Sequence, residues 1–479
     1  MNNHKRLAGM IVAGVCFLLP GMGVADSLPL VAVTKANEII DAALEAYGGA
    51  EVVSNLKTLE QDSVTIGFAL NQSRKPEPPW DKTTTESMNA IEFESELFVT
   101  RNKGTANGFE FDNGTIINGE NSYQLNFRAN TATSIPEPDF DTTSGPFIRI
   151  TPILLVKQLQ ERRQTSHWLG EVDIDGRAHD VITLVMEVGP ALSLYFDQDS
   201  HLLTRSERVL PPFGSIGYRF NEYESIDGIP FNREFELYVI DDLTLQISIK
   251  STRINNAISH LAAVSDDLEK VAAVTPDGLS MNELDNGVYL IGGTGTYAMF
   301  VEMEDYVVAI GGTAGIPERI AELRKVVPSK PIRYGVLTHH HNDHVLGVAA
   351  YAEENATILT VAENESVVRA AAGDAEDLKL EFVKGSRTIG DGIRRVEIHD
   401  IGPTPHVEHL LIAYLPSQGI IFEADHFPLP QTGPIPPAIP NTEAFANALT
   451  KKNFNVEKIV GAHSPRIASR EDLDRSLKQ

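Results

Sequence analysis

Cysteine is nearly absent from this sequence: Cys16 is the only one among 479 residues, and it lies in an apolar amino-terminal stretch. If that stretch is removed, the remaining chain has no disulfide, no thiolate metal ligand and no cysteine nucleophile. Whatever chemistry the protein performs must therefore use nitrogen and oxygen atoms.

Positive charge is also scarce, since 40 lysines and arginines stand against 66 acidic residues, which gives a formal net charge of -26. The sequence has no basic stripe, and an acidic surface repels phosphate backbones and anionic lipid. Nucleic acid and membrane headgroups are therefore poor candidate partners, and a small-molecule substrate is expected.

Long hydrophobic runs are missing as well. The apolar run at residues 7–19 is shorter than the roughly 20 residues of a membrane span. It follows basic residues at 4–6 and precedes small residues at 23–25, the pattern of an export signal cleaved after Ala25. We therefore predict that residues 1–25 are a signal peptide and that the mature chain is periplasmic or secreted, without a membrane span. An uncleaved anchor is the alternative.

The length exceeds what one hydrophobic core usually serves, so two domains are expected, with three as the alternative. Apolar and polar residues alternate up to about residue 255, for example at 91–100, 180–188, 191–209 and 235–254. Such runs, separated by turn residues, predict a mostly antiparallel β domain over residues 26–255 that is rich in hairpins.

A helix is predicted at the start of this domain, because Ile39, Ile40, Ala43 and Leu44 recur at helical spacing before two glycines interrupt the pattern. The phrases AYGGAEVVSNLKTL (46–59) and YESIDGIPFNREFEL (223–237) resemble the open β half-barrels of periplasmic lipoprotein carriers. We favour the simpler interpretation, that this is a structural or substrate-shaping domain of unknown ligand.

The less regular segment 256–283 is predicted to be a linker. After it, NGVYLIGG, YAMFVEM and YVVAIGG predict three strands, and the glycines near residue 293 favour a hairpin turn over a nucleotide loop, because no helix follows them. Strands and helices then alternate to the end, as in α/β structure. Ser469 and Asp472 have the spacing of a capping box at the start of the last helix.

The stretch THHHNDH, residues 338–344, is the most specific feature of this second domain. His339 and His341 alternate in an extended segment, so their side chains point to the same side and can bind one metal ion. Asp343 and His344 follow where the chain is expected to enter a helix over 343–354, and they can face a second ion. Three further candidate ligands, His406, Asp425 and His463, lie near predicted strand ends.

The residues in this order resemble the metallo-β-lactamase superfamily over about residues 284–479. The resemblance implies that His339, His341 and His406 bind a first metal ion, that Asp343, His344 and His463 bind a second, and that Asp425 bridges them. It also implies an αββα sandwich with the site at the sheet edge. The whole chain is then an α+β protein, with an antiparallel β domain followed by this sandwich.

Three histidines remain outside that set. His340 would point away from its neighbours and is assigned to the surroundings of the metal site or to the surface. His409 could replace His406 as a ligand, although His406 has the spacing that the family favours. His426 could donate to a substrate, or serve packing or the surface.

The sequence departs from the family at residues 310–313, which read IGGT, so a carboxylate that normally braces the metal loop is missing. Cysteine-type β-lactamases have a cysteine near Asp425, whereas a bridging aspartate is the pattern of thioesterases, lactonases and phosphodiesterases. The resemblance therefore favours these hydrolases over antibiotic hydrolysis.

Zinc, as two ions, is the first choice because it suits imidazole-rich sites and hydrolysis requires no redox change; iron or manganese is the alternative. A metal-bound water has its pKa lowered from about 15.7 to about 7 and so supplies hydroxide at neutral pH. Asp343 would orient this water and accept its proton. The six prolines between 427 and 440 predict either a semi-rigid wall of the cleft or a plain spacer.

The sequence thus predicts an exported binuclear metal hydrolase of an ester, lactone or thioester bond. Phosphate and sulfate esters rank lower because no Arg/Lys clamp lies near the motifs. The alternatives are a mononuclear iron enzyme acting on sulfur compounds, a β-lactam hydrolase, and a non-catalytic carrier of lipid or another apolar ligand.

Overall fold

A computed structural model describes residues 27–479, apart from 211–213, 274–277, 294, 374, 376, 391 and 393. The predicted signal peptide and Cys16 lie outside the described residues. In the part of the chain that is described, no helix is long and apolar enough to cross a membrane.

One large sheet dominates the amino-terminal part. Its strands are β1 Thr58–Phe68, β2 Lys82–Glu92, β3 Leu97–Ala106, β4 Phe109–Ile117, β5 Tyr123–Asn126, β6 Thr131–Ser134, β7 Trp168–Ile174, β8 Arg177–Leu184, β9 Leu192–Asp197, β10 Leu203–Leu210, β11 Gly214–Ile226, β12 Ile229–Val239, β13 Asp242–Ile254 and β14 Glu269–Val271. Among the described residues their order is β14-β6-β5-β4-β3-β2-β1-β13-β12-β11-β10-β9-β8-β7. Neighbouring strands are antiparallel except β14 and β6, which are parallel.

The hairpins predicted at 191–209 and 235–254 are present as β9–β10 and β12–β13. The run at 91–100 is not one strand, and that prediction was wrong. It holds the end of β2, a turn and the start of β3, and Glu96 in the turn has a positive φ of 51°. Alternation of apolar and polar residues continues through such a short turn, so the pattern alone does not reveal it.

In the described part of the chain, four α-helices accompany this sheet: α1 Leu28–Ala46, α2 Ala50–Ser54, α3 Phe140–Arg149 and α4 Pro152–Glu161. The predicted apolar stripe of α1 is buried and joins a core formed with α3, α4 and one face of the sheet. The helix ends at Ala46, and Gly48 and Gly49 then take φ values of 96° and 105°, which residues with a side chain rarely adopt.

The segment 256–283 contains more structure than a plain linker. Its strand β14 extends the edge of the amino-terminal sheet, and Glu269 pairs with Thr131 of β6. The next strand, β15 Ser280–Asp285, already belongs to the first carboxy-terminal sheet.

Two further sheets form the carboxy-terminal part. The remaining strands are β16 Val288–Gly293, β17 Thr296–Glu302, β18 Val307–Ile310, β19 Ile332–Val336, β20 Thr357–Thr360, β21 Lys379–Phe382, β22 Ser386–Gly390, β23 Arg395–Asp400, β24 Leu411–Leu415, β25 Ile420–Glu423, β26 Lys458–Gly461 and β27 Ser464–Ala468. Strands β15 to β21 form one sheet and β22 to β27 the other, each in sequence order. The hairpin predicted near residue 293 joins β16 and β17, where Gly293 pairs with Thr296.

The helices of this part are α5 Ile316–Leu323, α6 Val348–Glu353, α7 Glu365–Ala372, α8 Pro440–Lys452 and α9 Arg470–Ser476. One apolar core lies between the two sheets, a second under α5 to α7, and a third under α8 and α9. This is the predicted αββα arrangement, and α9 begins with the predicted capping box.

The helix predicted over 343–354 begins later than expected. Residues Asn342–His344 form a short 3-10 turn, and α6 starts only at Val348. Gly347 packs so tightly that a Cβ there would lie 2.4 Å from a side-chain atom of Ile316. Gly347 thus lies where the chain passes close to the start of α5, directly before α6.

Candidate metal centre

The predicted ligands converge at one edge of the two carboxy-terminal sheets. The histidine loop follows β19, Asp425 follows β25, His463 follows β26 and His406 lies in the loop before β24. Leu411 N, at the start of β24, donates to Thr338 O over 2.7 Å and so joins two of these loops. Strand ends in adjacent positions therefore bring together residues that lie far apart in the sequence.

The first group consists of His339, His341, His406 and Asp425, whose ligand atoms all lie within 4.8 Å of one another. The Nε2 atoms of His339 and His406 lie 3.3 Å and 3.4 Å from Asp425 Oδ2. Both nitrogens are buried and have no hydrogen-bond partner among the described residues. Buried imidazole nitrogens without partners are costly unless another group, such as a cation, satisfies them.

The second group consists of Asp343, His344 and His463. His463 Nε2 lies 3.0 Å from His344 Nε2 and 3.3 Å from Asp343 Oδ2. His344 Nε2 also lies 2.8 Å from Asp425 Oδ2, so Asp425 faces both groups. The predicted set of seven residues is thus assembled in one place, with Asp425 between its two halves.

The protonation of these side chains suits metal binding. Burial lowers the pKa of His339 well below its ordinary value and that of His341 to about 2, so both rings are neutral. Burial opposes ionisation of Asp425, but the neighbouring histidines outweigh it and hold the pKa of this carboxyl low. Neutral imidazoles beside ionised carboxylates are the form in which these side chains bind metal ions.

His463 differs from the other histidines. Burial lowers its pKa, but the hydrogen bond to Asp343 and the charges of Asp425 and Asp343 outweigh that effect and raise it to about 9. A metal ion at this nitrogen would have to displace the proton, and metal binding to such sites is known to release protons.

Asp425 occupies a turn of unusual backbone geometry, with a positive φ of 62°. The buried Glu423 holds this turn, because its Oε2 accepts hydrogen bonds from His426 N at 2.8 Å and Phe427 N at 3.3 Å. Strained backbone of this kind persists where the surroundings fix it, often at functional sites.

The three additional histidines lie beside the cluster. His340 is buried and its Nε2 lies 3.0 Å from Ser73 O, which excludes a surface position. His409 points elsewhere, with Nδ1 2.7 Å from Asp400 Oδ2. His426 is also buried, so its surface alternative was wrong, and its ring lies 5.6 Å from that of His406.

Sequence reasoning missed several residues that contact the cluster. Three belong to the amino-terminal part: Gln72, Ser73 and Asn107. Asn441, at the start of α8, is fully buried and donates to Asn107 O at 3.1 Å and Asp425 O at 3.4 Å. Only the Asn107-Gly108 pair gave a signal, since such pairs favour hairpin turns, and that signal says nothing about a metal site.

Comparison with known proteins identifies the family of this domain. Residues 291–463 match the family model described as the metallo-beta-lactamase superfamily. The carboxy-terminal part is thus a metallo-beta-lactamase domain with the fold of metal-dependent hydrolases and a candidate metal site, as its sequence resemblance implied. The match does not extend to the amino-terminal sheet.

Several solved structures align with 42–43% of the chain. A metallo-beta-lactamase from Pontibacter korlensis is 18% identical, with 42% of this chain and 97% of that chain covered and a TM-score of 0.34. The metallo-beta-lactamase FIM-1 from Pseudomonas aeruginosa, in its mono-zinc form, is 21% identical, with 43% and 96% covered and a TM-score of 0.34. A flavodiiron protein from Giardia intestinalis is 16% identical, with 42% and 59% covered and a TM-score of 0.34. Comparison with curated proteins finds no match.

Proposed function

We propose that the protein is an exported hydrolase that binds two zinc ions and cleaves an ester, lactone or thioester bond. The observation that carries this proposal is the convergence of two groups of donor atoms on Asp425, whose Oδ2 lies within 3.4 Å of His339, His344 and His406. A single ion would not require all seven residues.

The donor set is made of imidazole nitrogens and carboxylate oxygens, which suit zinc, with iron or manganese as the alternatives. Zinc bound by these residues would polarise the substrate oxygen and lower the pKa of water to near neutrality. The exposure of Asp343 supports a role for it in proton transfer to solvent. Its side chain is 44% exposed, whereas that of Asp425 is 11% exposed. We propose that Asp343 accepts the proton of the attacking water and then releases this proton to solvent.

A cleft of about 340 Å³ adjoins the centre and supports a substrate with an apolar group. One wall is the proline-rich segment, with Phe427 and Leu429, and the other is β4, with Phe109 and Phe111. The Phe109 ring lies 5.3 Å from that of His406, edge to face, which connects the cleft to the metal centre. The position of the segment favours the wall interpretation over the plain spacer.

The charges of this cleft favour uncharged acyl substrates over phosphate or sulfate esters. Arg128 lines the cleft, but it is paired with Glu110 at 2.7 Å and also donates to Ala438 O. Glu110 and Asp112 add negative charge to the same lining. An anionic ester would meet these carboxylates without a free guanidinium to compensate them.

The first test is the metal content of the mature protein, purified without chelator and measured by elemental analysis. About two zinc ions per chain are expected. A single iron would favour the enzyme acting on sulfur compounds, and no metal uptake even after zinc addition would favour the apolar-ligand carrier.

The substrate class is tested with p-nitrophenyl esters of increasing acyl length, together with lactones, thioesters, β-lactams and a phosphate diester. We expect kcat/KM to rise with acyl length, and Phe111→Ala to reduce the preference for long chains. Tyr123→Ala, at a half-buried aromatic residue of β5 that does not line the cleft, is the control. Hydrolysis of the phosphate diester alone would contradict the proposal.

A further inference from the structure

We propose that the amino-terminal sheet completes the metal centre, with two of its loops positioning the ligands that the carboxy-terminal domain supplies. The first is the bracing loop, residues 69–81, between β1 and β2. The second is the Asn107 turn, residues 107–108, between β3 and β4. This inference rests on the proposed function only in assuming that the seven-residue cluster binds metal.

The bracing loop fixes the ring of His341. Its Nε2 lies 3.0 Å from Ser73 O. A backbone carbonyl can only accept a hydrogen bond, so this ring nitrogen must carry the proton. In the neutral ring Nδ1 is then unprotonated and available to a metal ion.

The Asn107 turn does the same for His406. The Nδ1 atom of His406 lies 3.1 Å from Asn107 O, so Nδ1 carries the proton and the partnerless Nε2 atom is left for metal. Asn441 also donates to this carbonyl and so holds it in place from the carboxy-terminal side. The two parts of the chain thus set the tautomers of two ligands together.

Gln72 contacts a third ligand and joins the two loops. Its Nε2 donates to Asp343 Oδ1 at 2.8 Å and also to the Asn342 side chain. The backbone carbonyl of Gln72 accepts from the Asn107 side chain. Gln72 is therefore a positioning residue for Asp343, and Asp343 Oδ2 remains directed at His463 and His344.

The bracing loop is itself held in shape. Ser73 is 1% exposed, and its Oγ donates to Ala69 O and accepts from Asp81 N, each at 2.8 Å. Asp81 Oδ2 accepts from Arg74 N at 2.7 Å. Two backbone hydrogen bonds attach the loop to the carboxy-terminal domain, from Asn342 N to Asn71 O and from Glu408 N to Arg74 O. A rigid loop that is fixed at both sides can determine the direction of the imidazole rings.

These contacts account for the missing carboxylate at residues 310–313. Thr313 is fully buried there and its hydroxyl has no hydrogen-bond partner among the described residues, so it does not replace that brace. Partners of metal ligands typically change metal affinity by about 10-fold to 100-fold when they are removed. In this protein such partners come from the other domain.

The test uses the full chain and measures the dissociation constant for zinc by competition with a chromophoric chelator, without substrate. We expect Gln72→Ala and Asp81→Ala to bind zinc about 10-fold to 100-fold more weakly than the parent. The visible spectrum of the cobalt-substituted protein should change as well, because the ligand geometry is altered. The matched controls are Gln246→Ala, which removes a sheet glutamine bonded to Glu236, and Asp139→Ala, which removes the cap of α3.

Thermal unfolding of the metal-free variants establishes that they are folded, and Gln72→Ala keeps the test valid if Asp81→Ala fails to fold, because Gln72 is only half-buried. Unchanged zinc affinity and an unchanged cobalt spectrum in Gln72→Ala would overturn the inference while leaving the proposed hydrolase intact. If the parent protein binds zinc but hydrolyses none of the substrates, weaker zinc binding by Gln72→Ala would still support the inference and would count against the hydrolase alone.

Discussion

Asp343 has contacts of three kinds: with Gln72 of the bracing loop, with His344 and His463 of the metal centre, and with solvent. Asp343→Asn removes the charge and the proton acceptor while keeping the shape of the side chain. We expect hydrolysis to fall at least about 100-fold, the lower end of what a positioned proton acceptor contributes. His341→Ala, which removes a buried candidate metal ligand, should abolish hydrolysis.

Both variants should fold, because the histidine loop lies at the sheet edge and outside the three apolar cores. Rates with the preferred ester measure the loss of hydrolysis, and circular dichroism of the metal-free proteins measures whether the variants are folded. His260→Ala, at an exposed histidine in a turn of the segment 256–283, is the control. Normal turnover by Asp343→Asn would remove this residue from the mechanism.

Tyr47 and Tyr223, in the amino-terminal core, predict how stability responds to alkaline pH. The hydroxyls of Tyr47 and Tyr223 lie 3.1 Å apart, and Tyr223 donates to Leu203 O. Burial raises the pKa of both tyrosines above 10. The folded state therefore retains protons that the unfolded state releases above about pH 10, and stability falls as pH rises beyond that value.

The double variant with Tyr47→Phe and Tyr223→Phe should lose about 1 to 3 kcal/mol at pH 8, because buried hydrogen bonds disappear. Its further loss between pH 8 and pH 10.5 should be smaller than that of the parent. Urea unfolding at pH 8 and pH 10.5 measures the free energy of unfolding of parent and variant, and so both losses. An equal alkaline loss in parent and variant would show that these hydroxyls are not responsible.

At the scale of elements, the hairpin of β3 and β4 reaches the metal centre through a tight turn. Gly108 has a φ of 81°, and a Cβ at this position would lie 1.8 Å from Asn441 Oδ1. Gly108→Ala therefore requires both a strained backbone, at about 1–3 kcal/mol, and a displacement of the turn from α8. We expect lower stability together with weaker zinc binding, since Asn107 O would move away from His406.

Gly176→Ala provides a closely matched control for this hairpin. Gly176 lies in the turn between β7 and β8 with a φ of 80°, and a Cβ there would meet nothing within 4 Å. This variant should show the backbone strain alone and bind zinc like the parent. Thermal unfolding of both variants measures the cost of backbone strain, and chelator competition measures their zinc affinity. Equal zinc affinities of the two variants would contradict our expectation.

At the scale of the whole molecule, local sequence patterns predict which residues gather in the candidate metal centre but not what surrounds them. His339 to His344 share one loop, and His406, Asp425 and His463 lie near strand ends. Local sequence patterns are enough to predict these positions. Ser73 contacts His341 across 268 positions through a backbone carbonyl, a group that every residue has. No side-chain pattern can indicate such a contact.

Metal removal should affect both parts of the chain, because the same ions would stabilise both. A ligand present at 100 times its dissociation constant stabilises the folded state by about 2.7 kcal/mol, provided that the unfolded chain does not bind it. Dialysis against a chelator should therefore abolish hydrolysis and lower the unfolding temperature, and added zinc should restore both.

The bracing loop and the Asn107 turn bond to His341 and His406, so we expect hydrogen exchange in residues 69–81 and 107–108 to accelerate when metal is removed. Exchange in the β9–β10 hairpin, which is remote from these contacts, should not change. Faster exchange confined to the carboxy-terminal loops would mean that the amino-terminal sheet merely lies beside the metal centre and does not respond to it.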